Sequence, residues 1–462
     1  SLSFHGSISS MSRSTQRKMR RRKQIPDFPI RIEKLSHEGR GLARWGERML
    51  FVDGALPQEL ATVRVIGKSS RTAEAIAKDI LVTSSLRVQP ECAHASICGG
   101  CSLQHLPHDA QIEHKRQTLD ELMSREGVCL KKVKYLPPLT SSTLGYRRRA
   151  RLGARWVHAK DRLLIGFRER ASNFITDIDT CAVLDQRIGS SLSKLEKAVT
   201  SLSAPHRIPQ IEVVAGDDTV AIVVRHLDSL TQDDHERLSL LGEQTGWHVY
   251  LQPKGPESVT RLWPADGTQF LTYRIGELGL EYQFTVTDFT QINAVVNRAM
   301  IIQAMELLDL QGSERVLDLF CGLGNFTLAA ATRCAEVVGV EVSRTMVERV
   351  LQNARRNSLD NVRAITFDLT HTVSDQSWAK DNFDILIIDP PRSGAKEVLE
   401  GLSLKQIARV LYVSCNPTTL ARDARILIDR GYSMTHLGML DMFPHTAHIE
   451  AMALFINRGT RG

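Results

Sequence analysis

One cysteine stands where an apolar segment gives way to a turn, in the stretch LYVSCNPTTLARD at residues 411–423. A thiol that serves only for packing normally lies inside such a segment, whereas Cys415 comes directly before Asn-Pro. A thiolate is a strong nucleophile, but a free thiol is mostly protonated at neutral pH. We therefore expect a helix beginning near Pro417, or the cation of Arg392, to lower the pKa of Cys415.

Two carboxylates accompany this thiol in the sequence. Asp389 follows the apolar segment FDILIID, and two prolines after it prevent the strand from continuing. Because open parallel sheets bind ligands beyond the carboxyl ends of their strands, Asp389 and Cys415 are expected at one crevice. Glu450 precedes the last apolar strand in LDMFPHTAHIEAMALF. Considered alone, a glutamate in that position is most often a solvated strand-end residue.

A glycine-rich turn, DLFCGLGNFTLAAA at residues 318–331, follows one predicted strand and opens a helix. Gly322 and Gly324 would allow close approach of a ligand, and Glu341 at the end of the next strand could bind the two hydroxyls of a ribose. Such a turn could also bind a dinucleotide, although the third glycine of that pattern is replaced by Thr327. Asp368 closes the following strand and is either an adenine contact or a turn or N-cap aspartate.

Four cysteines form a candidate metal site: Cys92, Cys98, Cys101 and Cys181. The first three have the spacing C-x5-C-x2-C, and cysteines used only for packing have no reason to cluster. The spacing fits a four-thiolate zinc site or a [4Fe-4S] cluster and does not choose between them. Eight cysteines in 462 residues are too sparse for a disulfide scaffold, and the remaining four include Cys415 and three expected packing thiols, Cys129, Cys321 and Cys334.

The elements that must position these residues fall into four predicted segments. Residues 1–27 form a basic tail, expected to be disordered, and residues 28–86 alternate short strands with glycine and proline turns, as in a small β-barrel. Residues 87–286 mix helix and strand patterns and predict an α+β domain that carries the cysteine cluster. Residues 287–462 alternate strands and helices, which predicts an α/β domain with a parallel sheet.

Composition favours a polyanionic partner and excludes a membrane span. No segment has eighteen consecutive apolar residues and no secretory signal is apparent, so a cytoplasmic protein is expected. The excess of 59 basic over 52 acidic residues is modest but unevenly distributed. Residues 12–24 and 145–155 hold basic clusters that suit RNA, although the first is also typical of a solvated tail.

Six motifs occur in order over the C-terminal part of the chain: FTQIN, DLFCGLGNFTL, GVE, IIDPPR, VSCNP and FPHTAHIE. In residue types and order they resemble the RNA uracil-C5 methyltransferases. The resemblance implies a class I S-adenosylmethionine-dependent, Rossmann-like domain, with Cys415 as nucleophile and Glu450 as base. The cofactor contacts that it implies are Gln291, Phe320, Asn325, Glu341, Asp368 and Asp389.

The same resemblance extends to the N-terminal half. HEGRG and ALPQE resemble the OB-like TRAM barrel, with Gln58 at a position where the second motif usually has glycine. The four clustered cysteines are similar to the iron-sulfur ligands of the family, which implies a [4Fe-4S] cluster. Barrel, cluster and FPHT together resemble the branch that methylates 23S ribosomal RNA, and a monomer is expected.

Other functions remain open on the sequence. The same chemistry could act on tRNA or on a different uridine of 23S ribosomal RNA, and the target nucleotide is not determined. An amino-group methyltransferase also has a D/N-P-P turn, but an aromatic residue usually follows it, where this chain has Arg392. A non-catalytic RNA-binding assembly factor and an iron-sulfur redox protein are the alternatives from other classes.

Overall fold

The computed structural model describes residues 25–460. The predicted basic tail at residues 1–27 therefore lies outside the described residues except for its last three. Most strands belong to three large sheets, and a short hairpin forms a fourth. Within residues 25–460, no helix is long and apolar enough to cross a membrane.

The first sheet has six strands in the order β1-β5-β6-β4-β3-β2. Its strands are β1 Phe28–Arg31, β2 Lys34–Leu35, β3 Gly41–Trp45, β4 Arg48–Asp53, β5 Leu60–Lys68 and β6 Thr72–Val82. Alternate residues of these strands point into one apolar core that includes Ile32, Leu50, Val52 and Val63. This alternation is the period-2 pattern expected when one face of a sheet is buried.

Gln58 adopts a backbone conformation that normally favours glycine. Its φ is 71°, in the left-handed region, which explains why glycine is typical at this position of the motif. Two hydrogen bonds hold the strained residue: Gln58 N donates to Ile32 O at 2.9 Å, and Arg31 Nη1 donates to Gln58 O at 3.0 Å. The turn therefore keeps its form without the glycine.

The central part of the chain supplies a second six-stranded sheet, in the order β13-β12-β11-β10-β8-β9. The elements from residue 108 to residue 284 are α1 His108–Arg125, β7 Lys134–Tyr135, β8 Arg149–Val157, β9 Arg162–Gly166, α2 Gln186–Gly189, α3 Leu192–Thr200, β10 Gln210–Ala215, β11 Val220–Arg225, α4 Gln232–Thr245, β12 His248–Gln252, β13 Thr260–Trp263, β14 Leu271–Ile275 and β15 Leu280–Phe284. Strands β10 and β11 form a hairpin, since they pair antiparallel across a turn that contains Gly216-Asp217-Asp218.

Two of these elements pack elsewhere. Strand β7 joins the C-terminal sheet by pairing with residues 436–437, and Leu119 and Met123 of α1 belong to the apolar core on one side of that sheet. Part of the segment predicted as the central domain is thus built onto the C-terminal α/β unit. Helix α1 thereby comes close to the loop that precedes Glu450.

The C-terminal sheet has eight strands in the order β18-β17-β16-β19-β20-β22-β21-β7. Its remaining elements are α5 Ala294–Leu308, β16 Arg315–Leu319, α6 Thr327–Ala331, β17 Glu336–Glu341, α7 Arg344–Arg356, β18 Val362–Thr366, β19 Ile385–Ile388, α8 Lys396–Gly401, β20 Arg409–Ser414, α9 Pro417–Asp429, β21 Tyr432–Leu440 and β22 Glu450–Asn457. Strands β16 to β20 are parallel, as predicted, whereas β22 runs antiparallel between β20 and β21.

This topology brings the predicted site residues to one edge of the sheet. The parallel strands β17, β19 and β20 end beside Glu341, Asp389 and Cys415. Because β22 runs in the opposite direction, it begins at the same edge, with Ala451 paired to Ser414 and Glu450 paired to Leu440. A residue at the start of an antiparallel strand thus meets residues at the ends of parallel strands.

Gly339 lets the glycine-rich turn pack against β17. A Cβ atom there would lie 2.9 Å from Cys321 Sγ and 3.3 Å from Thr327 Oγ1. We expect Gly339→Ala to lower the free energy of unfolding by about 1–3 kcal/mol, because the closely packed turn must move. Urea denaturation would measure the change. The matched control is Gly276→Ala, whose Cβ has no neighbour within 4 Å; equal stability of both variants would contradict the packing argument.

Candidate active site

A cavity of about 530 Å³ opens at the carboxyl edge of the C-terminal sheet. Its volume is within the range of small-molecule sites. Seven of the eight residues predicted for catalysis or cofactor binding line it: Gln291, Phe320, Asn325, Glu341, Asp389, Cys415 and Glu450. Segments separated by up to 159 positions in the sequence, from Gln291 to Glu450, therefore meet in one space.

Cys415 lies in the turn between β20 and α9. Asn416 caps the helix by accepting from Thr418 N at 3.1 Å, and its Nδ2 donates to Arg392 O at 2.8 Å. This bond ties the Pro-Pro-Arg turn to the cysteine turn. It explains why Arg392, although distant in sequence, lines the same cavity as the thiol.

The pKa of the Cys415 thiol is raised above its ordinary value. Burial is the main cause, and the carboxyl groups of Glu450 and Asp389 add to it, while Arg392 acts in the opposite direction. The prediction of a lowered pKa is therefore wrong in direction for the protein by itself. Arg392 is present and favours the thiolate, but burial of the thiol, together with the two nearby acids, has the larger effect.

Glu450 is buried, with 7% of its surface exposed. Burial raises its pKa to about 8, and the nearby Asp389 contributes in the same direction. Lys115 and Arg392 lower it. The solvated strand-end interpretation therefore does not hold, because β22 starts inside the protein and not at its surface.

Asp389 follows β19 directly and is held by its backbone, since Asp389 N donates to Leu319 O at 3.3 Å. Burial raises the pKa of its carboxyl group to about 7. Two carboxyl groups and a thiol with raised pKa values thus face one cavity. The two carboxyl groups, with pKa values of about 7 and about 8, are suited to proton transfer near neutral pH, which is typical of active sites.

The glycine-rich turn is held by Glu341. Its carboxylate accepts from Gly322 N and from Ser343 N, each at 3.1 Å. The turn needs left-handed backbone at Gly322 and Gly324, with φ of 55° and 96°. Glu341 thus organises the turn and also lines the cavity, where a remaining lone pair could accept from a bound hydroxyl group.

Asn325 is anchored by residues that the sequence analysis did not identify. Tyr273 donates its hydroxyl to Asn325 Oδ1 at 2.8 Å, and Asn297 Nδ2 donates to the same oxygen at 3.2 Å. Asn325 Nδ2 in turn donates to Asn297 Oδ1 at 2.8 Å. The available signal was Asn293 and Asn297, two amides one helical turn apart on the apolar helix α5.

Asp368 lies at the same edge, after β18, but does not line the cavity. Its Oδ1 accepts from Thr370 N at 3.0 Å and from Thr370 Oγ1 at 2.7 Å. These bonds make it a turn aspartate, one of the two alternatives that the sequence left open. A contact with adenine stays a prediction.

The four predicted metal-ligating cysteines lie within electrostatic range of one another. The pKa of Cys101 is raised to about 11, mainly by burial and further by Cys181, Cys98 and Cys92. Arg170 donates to the carbonyl oxygens of Ala95, Cys98 and Cys101, at 2.6, 3.1 and 2.5 Å, and so holds their loop. Among residues 25–460, no group of three or more His, Cys, Asp or Glu is arranged to hold a metal ion.

Comparison with known proteins connects this geometry to a family. The model of the tRNA (uracil-5-)-methyltransferases matches residues 107–458, about three quarters of the chain. The chain belongs to this family. A TRAM domain model matches residues 27–78, which contain most of the first sheet. The chain is therefore a methyltransferase with an N-terminal TRAM domain.

Several curated relatives of this methyltransferase cover almost its whole length. The 23S rRNA (uracil(1939)-C(5))-methyltransferase RlmD of Hahella chejuensis is 47% identical over 94% of this chain and 99% of its own. The protein of the same name from Alcanivorax borkumensis is 46% identical over 94% of this chain and 98% of its own.

Among solved structures, the Pyrococcus abyssi tRNA (uracil-54, C5)-methyltransferase in complex with S-adenosyl-L-homocysteine covers 93% of this chain and 99% of its own. Its TM-score is 0.72 at 24% identity. The likeness confirms the predicted fold of an S-adenosylmethionine-dependent methyltransferase. Membership of the methyltransferase family does not support the dinucleotide-binding alternative.

Asp318, at the start of this methyltransferase's glycine-rich turn, allows the effect of burial on a carboxyl pKa to be tested. It is fully buried and accepts from Thr327 Oγ1 at 2.6 Å, and its pKa is raised from 3.8 to about 7. Because the folded protein binds this proton more tightly than the unfolded chain, ionisation costs stability as pH rises from about 4 to about 7.

We therefore expect Asp318→Asn to gain stability relative to the parent protein across that pH window, reaching a few kcal/mol above it. Urea denaturation at several pH values measures the difference. Asp266→Asn, on an exposed loop, is the control and should show no such trend. A stability difference for Asp318→Asn that does not change with pH would refute a buried ionisation as its cause.

Proposed function

We propose that this chain methylates C5 of a uridine in 23S ribosomal RNA, using S-adenosylmethionine and a transient covalent bond to Cys415. The observation that carries this proposal is the single cavity that joins a thiol, two buried carboxyl groups and the glycine-rich turn. The printed activity of relatives at 46–47% identity over nearly the whole chain supports the substrate. Because relatives and neighbours also include tRNA enzymes, tRNA is the substrate to be tested against it.

The residue types suit the chemistry of a pyrimidine ring. C5 of uracil is a weak nucleophile, and addition of the Cys415 thiolate to C6 forms a sulfur-carbon bond and moves the ring electrons into an enolate. C5 can then form a bond to a methyl group. Glu450, as carboxylate, removes the C5 proton, the C5-C6 double bond re-forms, and the thiolate leaves with the electrons of the sulfur-carbon bond. Cys415 is regenerated, and Glu450 holds the proton.

The reaction requires Cys415 and Glu450 in their ionised forms, and positive charge in the cavity favours these forms. When bound, S-adenosylmethionine would supply an electrophilic methyl group and a positive charge, which would favour the ionised forms of the acids that line the cavity. Arg392 already favours the anions of both Cys415 and Glu450. The raised pKa of Glu450 makes it a stronger proton acceptor than an exposed glutamate, which suits removal of a proton from carbon.

We further propose the cofactor-binding residues that follow from the family resemblance. Glu341 would bind the ribose hydroxyls, and Asp368 at the adjacent strand end would approach the adenine. Gln291, Phe320 and Asn325 would surround the remainder of the cofactor, while Asp389 would orient the uracil ring between cofactor and thiol. For all except Asp368, a position on the cavity wall supports the assignment.

Cys92, Cys98, Cys101 and Cys181 are proposed to hold a [4Fe-4S] cluster. Four thiols that influence one another's pKa values form a suitable donor set, and Gly100 N donates to Cys98 Sγ at 3.4 Å, as amides do to cluster ligands. Around one zinc ion, four sulfurs would lie within about 4.6 Å of one another, twice the zinc-sulfur bond length. A [4Fe-4S] cluster is larger than a single zinc ion, so its four cysteine sulfurs lie further apart than those around zinc.

The other units would serve the RNA. We propose that residues 28–86 and 87–286 are RNA-binding and central domains, and that residues 287–462 are the catalytic domain, joined by α1 and β7. A target base must leave its stack to reach the cavity, at a cost of a few kcal/mol that protein-RNA contacts would offset. Because every site residue comes from one chain, a monomer suffices, and we propose that it acts in the cytoplasm, where ribosomal RNA is expected.

Trapping with 5-fluorouridine tests the covalent mechanism. Fluorine replaces the C5 proton, so the reaction should stop after methyl transfer with the RNA attached to Cys415. We expect 23S ribosomal RNA fragments containing 5-fluorouridine to form a stable adduct, located by peptide mass spectrometry, and Cys415→Ala to form none and to lose activity by at least about 10⁴-fold.

Cys129→Ala is the control, since Cys129 is exposed and outside the cavity. Methylated product from Cys415→Ala at a rate near that of the control would exclude the covalent mechanism. Tritium-labelled methyl transfer to 23S ribosomal RNA and tRNA transcripts, compared side by side, decides the substrate. Faster transfer to tRNA would refute the ribosomal assignment.

Iron and sulfide analysis tests the cluster. Anaerobically purified protein should contain iron and acid-labile sulfide in equal amounts, and Cys101→Ser should lose most of both, because a buried ligand is removed. The exposed Cys129→Ser should keep them. Zinc in place of iron, or unchanged iron in Cys101→Ser, would contradict this ligand set.

A further inference from the structure

The loop between β21 and β22, residues 441–449, delivers Glu450 to the cavity, and we call it the base loop. Its bounds are set by the hairpin register, in which Leu440 pairs with Glu450. His445 within it has a φ of 65°, an uncommon conformation for a non-glycine residue. A strained loop beside a buried base needs external support to keep one conformation.

Much of that support comes from Lys115 on α1. Its side chain is fully buried, and Nζ donates to Asp441 Oδ1 at 2.7 Å and to Phe443 O at 3.1 Å. Asp441 is also fully buried, and its second oxygen lies 2.7 Å from His108 Nε2. One ammonium group thus contacts both a side chain and the backbone of the base loop.

Other residues near α1 hold the next part of the loop. Gln111 Oε1 accepts from His445 N at 2.9 Å, and its Nε2 lies 3.2 Å from His445 Nδ1. Ser102 N and Leu103 N both donate to His445 O at 2.9 Å, directly after the proposed cluster ligand Cys101. Tyr146 donates its hydroxyl to Pro444 O at 3.0 Å.

Holding a loop with a buried ion pair costs more free energy of desolvation than holding it with neutral side chains. Removing two charges from water costs several kcal/mol, and apolar residues of similar volume often stabilise a fold equally well. The carbonyl of Phe443 could likewise accept from a neutral donor. Burial lowers the pKa of Lys115, whereas Asp441 and Glu450 favour its cation. A cationic side chain at this buried position therefore suggests a role that neutral packing would not fulfil.

We propose that Lys115 is a positioning residue for the methylation reaction: through Asp441 and the Phe443 carbonyl it holds the base loop so that Glu450 can accept the C5 proton. This inference rests on the proposed function. The proposed role of Lys115 concerns removal of the C5 proton and the release of Cys415 that follows it. It does not concern the attack of Cys415 on C6.

The charge of Lys115 also acts directly on Glu450. It favours the carboxylate and so lowers the pKa that burial and Asp389 raise, together with Arg392. Other charged or titratable groups lie near Lys115 and Glu450: Asp389, Arg392, Cys415, Asp441, His108, His114, His445 and His448. Since Glu450 must be ionised to accept the proton, loss of the Lys115 cation should move the acidic limb of the rate profile to higher pH.

Lys115→Met tests the inference because it keeps the length of the side chain and removes the charge. We expect a fall in kcat of roughly 10- to 100-fold with little change in the KM for S-adenosylmethionine. The acidic limb of the kcat profile should shift to higher pH. Covalent capture of 5-fluorouridine RNA should keep nearly the parent rate, since it does not require removal of a C5 proton.

On unsubstituted RNA, Lys115→Met should therefore accumulate the covalent intermediate, as Glu450→Gln should. Gln117→Met, on the exposed face of the same helix, is the matched control with parent behaviour expected. An unshifted acidic limb, or an equal loss of covalent capture and turnover, would overturn the positioning role. If the parent protein itself captures no RNA, the proposed function fails, and the two failures are thereby distinguished.

A double variant distinguishes an effect of Lys115 on the reaction from a loss of folding. Lys115→Met leaves Asp441 buried without its ammonium partner and should lower the unfolding temperature. Lys115→Met with Asp441→Leu removes both charges and should recover stability, yet retain the shifted acidic limb because the cation near Glu450 is still missing. Recovery of the parent profile in the double variant would show that Lys115 matters only for folding and would overturn the proposal.

Discussion

The direction of the strands at one sheet edge is the constraint on which the site depends. Parallel strands all end at the same edge, so Asp389 and Cys415 are delivered there by β19 and β20. A third group could come from another parallel strand only after a further crossover. Here β22 reverses direction, and its first residue, Glu450, lies at that edge. Cys415 and Glu450, the proposed nucleophile and base, therefore come from neighbouring strands of opposite direction and line one cavity.

Burial at this edge then sets the chemistry. A carboxyl group removed from water keeps its proton to higher pH, and Asp389 and Glu450 each show this effect. The same burial disfavours the thiolate of Cys415. In the protein by itself, burial thus favours the neutral forms of these three groups, whereas nearby positive charge favours their ionised forms. Arg392 and Lys115 supply part of it, from the cysteine turn and from α1.

The N-terminal half of the chain also contributes to this edge of the sheet. The base loop is held by Gln111, Lys115 and Tyr146, and by the backbone that follows Cys101. The cysteine loop and the base loop that precedes Glu450 are therefore linked by hydrogen bonds across more than 300 positions of sequence. The contact point is His445, whose carbonyl accepts from both Ser102 N and Leu103 N.

The sequence by itself determined the strands and turns that carry their own signal. The glycine-rich turn, the Asp-Pro-Pro stop and the Cys-Asn-Pro helix start each combine an apolar run with residues of restricted or permissive backbone, so their local conformation follows from residue type. The order of the motifs also indicated the family. Glu450 has no local signal of this kind, and only the motifs around it distinguished it from a solvated strand end.

Only the tertiary structure decided the electrostatics and the long-range support. The pKa of Cys415 is raised mainly by burial and further by Glu450 and Asp389, against the effect of Arg392, and none of this could be predicted from its neighbours in the sequence. The pairing of Lys115 with Asp441 joins residues 326 positions apart, and neither position has a local pattern that predicts it. Periodicity and turn chemistry report on neighbours along the chain, whereas burial and charge depend on neighbours in space, which the packing of α1 on the sheet brings together.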